Sequence, residues 1–398
     1  MSEKIMMSGN EAIARGVWEA GVHVAAAYPG TPSTEILENI GALYKDDIYC
    51  EWSVNEKVAF EVASGASIGG ARAFCAFKHV GMNVATDPIF SMGYAGVNGG
   101  LVFVTADDPG CWSSQNEQDN LWYAPHSKIA MLEPSDSQEC LDFVKAAYEL
   151  SERFDTPVMI RMTTRVCHSK SLVQTGDRKD VDVIRYKRNP SKFALLPATA
   201  LSRHPIREQL LADMEDYGHD CPFNRVEETE NSSVGVITSG ISYQHAREAF
   251  GQSAAFLKLG LTYPLPKRLI KEFCERHETV YVIEENDPYL EHRSRLSVSR
   301  MYTARTSFQY AMNLTPLSFA ESFSTKSRKK HTMWKLKHLR VLPLCARDVR
   351  TAGSSTPLLR LWTGSSLQVI SDATDWGHRR HSTDSVSLCV WAPVSPHS

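Results

Sequence analysis

An α/β fold with a doubly wound parallel sheet is predicted for residues 1–170 by three observations. Short, almost wholly apolar runs recur at 22–28, 72–77, 101–106, 128–132 and 157–162. Segments with helical periodicity separate them. Polar or glycine-bearing stretches follow their ends. Runs of this kind fit strands buried on both faces, and their alternation with helices fits a parallel sheet covered on both sides.

Each element follows from its residues. Positions 9–20 form a helix with Ala12, Ile13, Val17 and Trp18 on one face. The strand 22–28 leads into a turn at 29–33 that caps a helix at 34–44. EWSVNEK (51–57) carries a strand end into a helix over 56–70. Val58, Ala59, Val62, Ala63, Gly65 and Ala66 demand that this helix pack closely. The helix at 83–94, the strand at 101–106, the extended stretch at 128–132, the helix at 137–153 and the strand at 157–162 complete the unit. Residues 171–232 are polar and irregular, a connector with one or two helices at 198–217. A smaller α/β domain spans 233–291: strand 234–238, turn 240–242, helix 243–250, strand 255–259, helix 266–277 and closing strand 279–284.

Composition narrows the class. At 42% hydrophobic and 22% charged residues the chain fits a globular protein of two or three domains. No stretch approaches eighteen uninterrupted apolar residues and the first residues lack a signal-peptide core, so neither a membrane span nor export is expected and a cytoplasmic location is. Nine cysteines, with no CxxC pair, read as reduced thiols. The net charge of −3 hides an asymmetry: from His292 onward 16 basic residues face 5 acidic ones, a net +11, which leaves −14 for residues 1–291.

Several segments carry chemistry. Glu56 opens a helix, where the dipole favours negative charge, and a carboxyl there can polarise a ligand nitrogen. YPGTPST (28–34) places Thr31 and Ser33 at a strand-to-helix turn, which serves equally as a polar-ligand site or an ordinary cap. KHVGMN (78–83) brings Lys78, His79 and Asn83 to another such junction, suited to a carboxylate-bearing substrate or to a solvated loop. The polar loop at 107–119 follows a strand, and loops this dense usually bind something.

Together these segments resemble the large subunits of the indolepyruvate:ferredoxin oxidoreductases, thiamine-dependent 2-oxoacid oxidoreductases. The matching stretches are AAAYPGTPSTEI, EWSVNEKVAFEVASGAS, KHVGMNVATDP, GGLVFVTADDPG, SSQNEQD, LEPSDSQE and TPVMIRMTTRVCHS, with GVITSGISY, LKLGLTYPLP and VIEENDPYLE in the smaller domain. The resemblance covers about residues 5–291. It implies that 1–170 binds the pyrimidine of thiamine diphosphate and that 233–291 is a transketolase C-terminal-like domain. Glu56 would hydrogen-bond the pyrimidine N1′ and favour its imino tautomer. Thr31, Ser33 and Asn83 become candidate cofactor residues, and Lys78 and His79 candidates for the substrate carboxylate. The implied reaction is oxidative decarboxylation of an arylpyruvate to an aryl-acetyl-coenzyme A, with a small (beta) subunit and ferredoxin as partners. Mg²⁺ and 4Fe-4S clusters are expected in the complete enzyme, but their ligands are not visible in this chain. A non-catalytic thiamine-binding or assembly module working with a partner is the alternative.

The resemblance implies a diphosphate-binding domain and then a ferredoxin-like cysteine domain after residue 291, and the segment 292–398 departs from that pattern. Reading its codons from the last base of each into the first two of the next permits family motifs at 303–308, 345–356, 368–377 and 389–394, all at one offset and in order. A frameshift near 291–292 is therefore expected, with 292–398 an out-of-frame tail without a selected fold. The basic charge of the tail would then be an accident of codons, and no nucleic-acid role is assigned to it. The nucleotide sequence from codon 285 onward is expected to show a one-base slip. An uninterrupted frame, with peptides from 292–398 detected by mass spectrometry, would contradict this.

Overall fold

The computed structural model describes residues 3–229, 233–295, 359–363 and 366–370. The elements in chain order are β1 (Lys4–Ser8), α1 (Gly9–Glu19), β2 (Val24–Ala27), α2 (Thr34–Leu43), β3 (Tyr49–Trp52), α3 (Glu56–Gly69), β4 (Ala73–Lys78), α4 (His79–Ala95), β5 (Leu101–Asp107), α5 (Tyr123–Ser127), β6 (Ala130–Leu132), α6 (Ser137–Arg153), β7 (Val158–Thr163), α7 (Thr164–His168) and β8 (Lys170–Gln174). There follow α8 (Pro190–Phe193), α9 (Pro197–Asp220), β9 (Arg225–Glu227), β10 (Val234–Ser239), α10 (Gly240–Phe250), β11 (Ala255–Leu259), β12 (Leu261–Tyr263), α11 (Lys267–Arg276), β13 (Thr279–Ile283) and α12 (Tyr289–Arg295).

The main sheet has seven strands in the order β12-β6-β7-β5-β4-β2-β3. All pair in parallel except β12, which runs antiparallel to β6. Every residue of β4, β5 and β7 is buried, as two covered faces require. Phe74 and Ala76 of β4 face a core shared with α1, α2 and α6, while Cys75 and Phe77 face one shared with α3 and α4. On the second side Phe103 meets Phe60 edge-on at 5.4 Å and Phe77 at 5.8 Å, locking α3 against the sheet. A four-stranded sheet, β13-β10-β11-β9, forms from the later residues.

The structure differs from the sequence expectation in four places. The helix expected at 83–94 begins at His79, because Lys78 already takes the extended N-cap conformation and no loop intervenes. The turn expected at 240–242 is the start of α10. Residues 261–263, expected within the smaller domain, supply the edge strand β12 of the main sheet. In the segment read as an irregular connector, residues 178–184 bond along the main unit: Lys179 N–H donates to Glu19 O (2.9 Å) and Ile184 N–H to Gly70 O (2.9 Å). Gly70 has φ of 103°, and a Cβ there would sit 1.8 Å from Ile184 O, so no other residue fits. The helix α9 then docks through Arg203, whose guanidinium caps the C-terminus of α4 at Tyr94 O and Ala95 O and pairs with Asp155.

Of the tail expected to lack a fold, residues 292–295 complete α12, and β14 (Leu359–Thr363) and β15 (Ser366–Ile370) pair as an antiparallel hairpin. The remainder of that expectation lies outside the described residues. Among the described residues no helix is long and apolar enough to cross a membrane.

Phe103→Ala empties the contact between α3 and the sheet and is expected to cost about 3–5 kcal/mol of stability, read from urea unfolding. A loss under about 1 kcal/mol would show that α3 is held elsewhere.

Candidate active site

The carboxyl ends of β2, β4 and β5 meet the N-termini of α3 and α4. Asn55 caps α3 by accepting from Val58 N–H at 2.9 Å, which places Glu56 as the first helical residue. The Glu56 side chain is half-buried, and among the described residues no cation pairs with it. Burial pushes its pKa up, and its own backbone N–H only partly offsets this. The helix terminus alone would lower the value, so desolvation prevails. The carboxyl rests on Gly81 of α4: a Cβ there would lie 2.6 Å from Glu56 Cγ and 2.7 Å from Oε1.

The other candidates gather around the start of α4 to different degrees. The turn before α2 touches β4, since a Cβ on Gly30 would lie 2.9 Å from Lys78 Cβ. Within that turn Thr31 is exposed, whereas Ser33 is buried and donates its hydroxyl to Gly30 O at 3.0 Å. Ser33 makes no side-chain cap bond; Thr34 Oγ1 instead accepts Gly30 N–H at 2.8 Å. Lys78 is buried and donates from Nζ to Ser113 O at 2.5 Å. Burial pushes the Lys78 pKa down, opposed by Asp108. His79 is fully buried, with Nε2 3.3 Å from Asn116 O and Nδ1 without a partner among the described residues. Asp108 accepts from Ser113 N–H, Ser114 Oγ and Thr164 Oγ1. Lys78, His79 and Asp108 therefore tie down the loop 108–119. Asn83 lies exposed one turn along α4, accepting from the Tyr123 hydroxyl at 2.5 Å. No hydrogen bond joins Thr31 or Asn83 to Glu56.

A second group was not singled out from the sequence. Arg161 of β7 is 4% exposed and donates to Asp107 Oδ2 at 2.9 Å and Glu133 Oε1 at 3.0 Å, with Asp119 at 3.5 Å. Ser239 at the end of β10 donates to the other oxygen of Glu133 at 2.9 Å, so the cluster bridges the two sheets. Asp287 N–H adds a bond to Asp119 at 3.0 Å, and Glu284 accepts from the backbone of Leu290 and Glu291. One guanidinium does not neutralise this many buried carboxyls. Burial pushes Asp119 up to about 7 and Glu284 up to about 8. The signal was available: an arginine inside VMIRMT demands buried acidic partners.

The family model for pyruvate flavodoxin/ferredoxin oxidoreductase, thiamine diphosphate-binding, matches residues 15–232. The chain belongs to this family. It is 44% identical over 311 residues to the indolepyruvate oxidoreductase subunit IorA of Archaeoglobus fulgidus, covering 75% of this chain and 50% of that one. The IorA of Methanothermobacter thermautotrophicus is 43% identical over 295 residues, covering 73% and 48%. The chain thus spans about half the length of the curated relatives it matches. Its fold resembles 2-oxoglutarate:ferredoxin oxidoreductase from Magnetococcus marinus, with a TM-score of 0.67 at 19% identity over 81% of this chain and 65% of that one. A split-gene transketolase aligns with a TM-score of 0.51 at 16% identity, covering 80% and 97%. The family resemblance and the α/β fold expected from the sequence are both met.

The buried carboxyls predict a pH dependence. Asp119 and Glu284 keep their protons to higher pH when folded than when unfolded. The stability they give is therefore full below about pH 4 and is lost as pH rises through their folded values of about 7 and about 8. Glu284→Gln stays neutral throughout. Between about pH 5 and 8 the native chain is expected to lose stability relative to this variant, by at most about 1.4 kcal/mol per pH unit, read from urea midpoints. Parallel pH profiles would contradict the assignment.

Proposed function

We propose that this chain is the pyrimidine-binding part of an indolepyruvate:ferredoxin oxidoreductase large subunit, which decarboxylates arylpyruvates oxidatively and passes the acyl group to coenzyme A. The observation that carries the proposal is the Glu56 carboxyl, held half-dry at a helix start with no cation beside it among the described residues. The residues fit an aminopyrimidine. A carboxyl whose pKa is raised by burial takes up a proton to share with a ring nitrogen more readily than an ion-paired one. When bound, thiamine diphosphate would supply the carbon nucleophile that makes a 2-oxo acid lose carbon dioxide. The chain would supply the proton-holding group at Glu56 Oε1 or Oε2 and a shaped mouth around it. Thr31 and Asn83, exposed at the rim, are assigned to contacts with the cofactor.

The ammonium of Lys78 and the ring of His79 are engaged with the loop 108–119, so their part is to hold that loop over the site and to place positive charge near an incoming carboxylate. Ser33 contributes by fixing the turn that carries Thr31. The small subunit and ferredoxin are the partners this reading requires. Mg²⁺ and the 4Fe-4S clusters belong to parts of the complete enzyme beyond the family match; among the described residues no group of three or more His, Cys, Asp or Glu side chains is placed to hold a metal.

Glu56→Gln is expected to lower indolepyruvate turnover by about 10²–10⁴-fold in a complex assembled with the small subunit and the diphosphate-binding and cluster domains. Turnover equal to that of the native complex would refute the role of Glu56.

A further inference from the structure

Gly81 has no conformational reason to be glycine. It is the third residue of α4, and its φ lies outside the left-handed region that favours glycine. Inside a helix glycine is a poorer choice than alanine, because it loses more backbone freedom on folding. What the position supplies is space, and one side chain takes it. A Cβ on Gly81 would lie 2.6 Å from Glu56 Cγ, 2.7 Å from Oε1 and 3.0 Å from Cδ. Its three nearest neighbours are therefore all atoms of a single glutamate. Gly9, Gly16 and Gly93, also helical, have a backbone carbonyl oxygen as their closest neighbour. A methyl group at those positions would push on the fold. At Gly81 it would push on the end of one flexible side chain.

We infer that Gly81 is a positioning residue: the bare backbone of the first turn of α4 is the seat that holds the Glu56 carboxyl at the mouth of the sheet. The inference rests on the reading of Glu56 as the group that meets the pyrimidine, and it adds what fixes that group. The mouth is bounded on one side by α3, which carries Glu56, and on the other by α4, which carries the seat. The carboxyl lies between them and is desolvated by both. Lifting it off the seat returns it towards water without moving either helix. Desolvation is the main cause of its raised pKa, so displacement lowers that pKa towards the ordinary value. The seat thus sets both where the proton is offered and how firmly it is held.

The test uses the full chain with ¹³C-labelled glutamate carboxyls, Glu56→Gln identifying the Glu56 resonance. Gly81→Ala is expected to lower the Glu56 titration midpoint by about half a unit or more, while its thermal midpoint stays at or above the native value, because alanine is the better helix former. Gly65→Ala serves as control. That glycine is exposed on α3 with nothing within 4 Å, and its replacement is expected to leave the Glu56 titration unchanged. An unchanged Glu56 midpoint in Gly81→Ala would overturn the seat, as would a markedly lowered thermal midpoint, which would make Gly81 a packing glycine. Calorimetry of the same variants with thiamine diphosphate, in the complex with the diphosphate-binding domain, separates this result from the underlying reading. If Glu56→Gln binds the cofactor as tightly as the native chain while Gly81→Ala still shifts the titration, the thiamine assignment fails and the seat stands. If Glu56→Gln weakens binding and Gly81→Ala changes nothing, the seat fails and the assignment stands.

Discussion

Strands buried on both faces leave chemistry only one place to go. In β4, β5 and β7 every side chain is enclosed, so a group that must meet solvent or a ligand has to sit where a strand ends. The chain meets this constraint by placing helix starts and a polar loop at these exits. Asn55 and Glu56 open α3, Lys78 and His79 join β4 to α4, and Asp107 closes β5. The dry sheet and the polar mouth are two consequences of one packing arrangement.

Two kinds of buried acid result. Around Arg161 the carboxyls of Asp107, Asp119 and Glu133 are dry, paired and bonded to backbone or hydroxyl donors, and they join the carboxyl ends of both sheets. Such a cluster is costly to bury and more costly to leave half-made, which favours a single docking geometry for the four-stranded sheet. Glu56 is the opposite case. It is half-wet, has no cation beside it among the described residues and is held by shape against Gly81. A group held in this way is available to a ligand, whereas the acids around Arg161 are committed to structure.

The sequence made the first kind of information legible and left the second obscure. Apolar runs and helical periodicity located the strands and helices of the main sheet to within a few residues, because both signals are local. The three-residue β12 does not register as a strand in the sequence and its residues read as part of the smaller domain, since strand pairing is set by distant partners rather than by the strand itself. The segment 178–184 looked like a loose connector because its order comes from backbone bonds to Glu19 and Gly70, which no side-chain pattern announces. At the site the residue types at 56, 78 and 79 were readable, but their directions were not. Lys78 and His79 turn to the carbonyls of Ser113 and Asn116, and the Ser33 hydroxyl turns back on its own turn. The role of Gly81 became visible only once α3 and α4 were side by side.

The account depends on where a pyrimidine ring would lie relative to one carboxyl group. A crystal structure of the chain with thiamine diphosphate and its diphosphate-binding domain measures this directly. The account predicts the ring over the first turn of α4, with its N1′ about 2.6–3.2 Å from a Glu56 carboxyl oxygen. A ring bound elsewhere, or a Glu56 side chain turned to solvent while the cofactor is held by other residues, would contradict it.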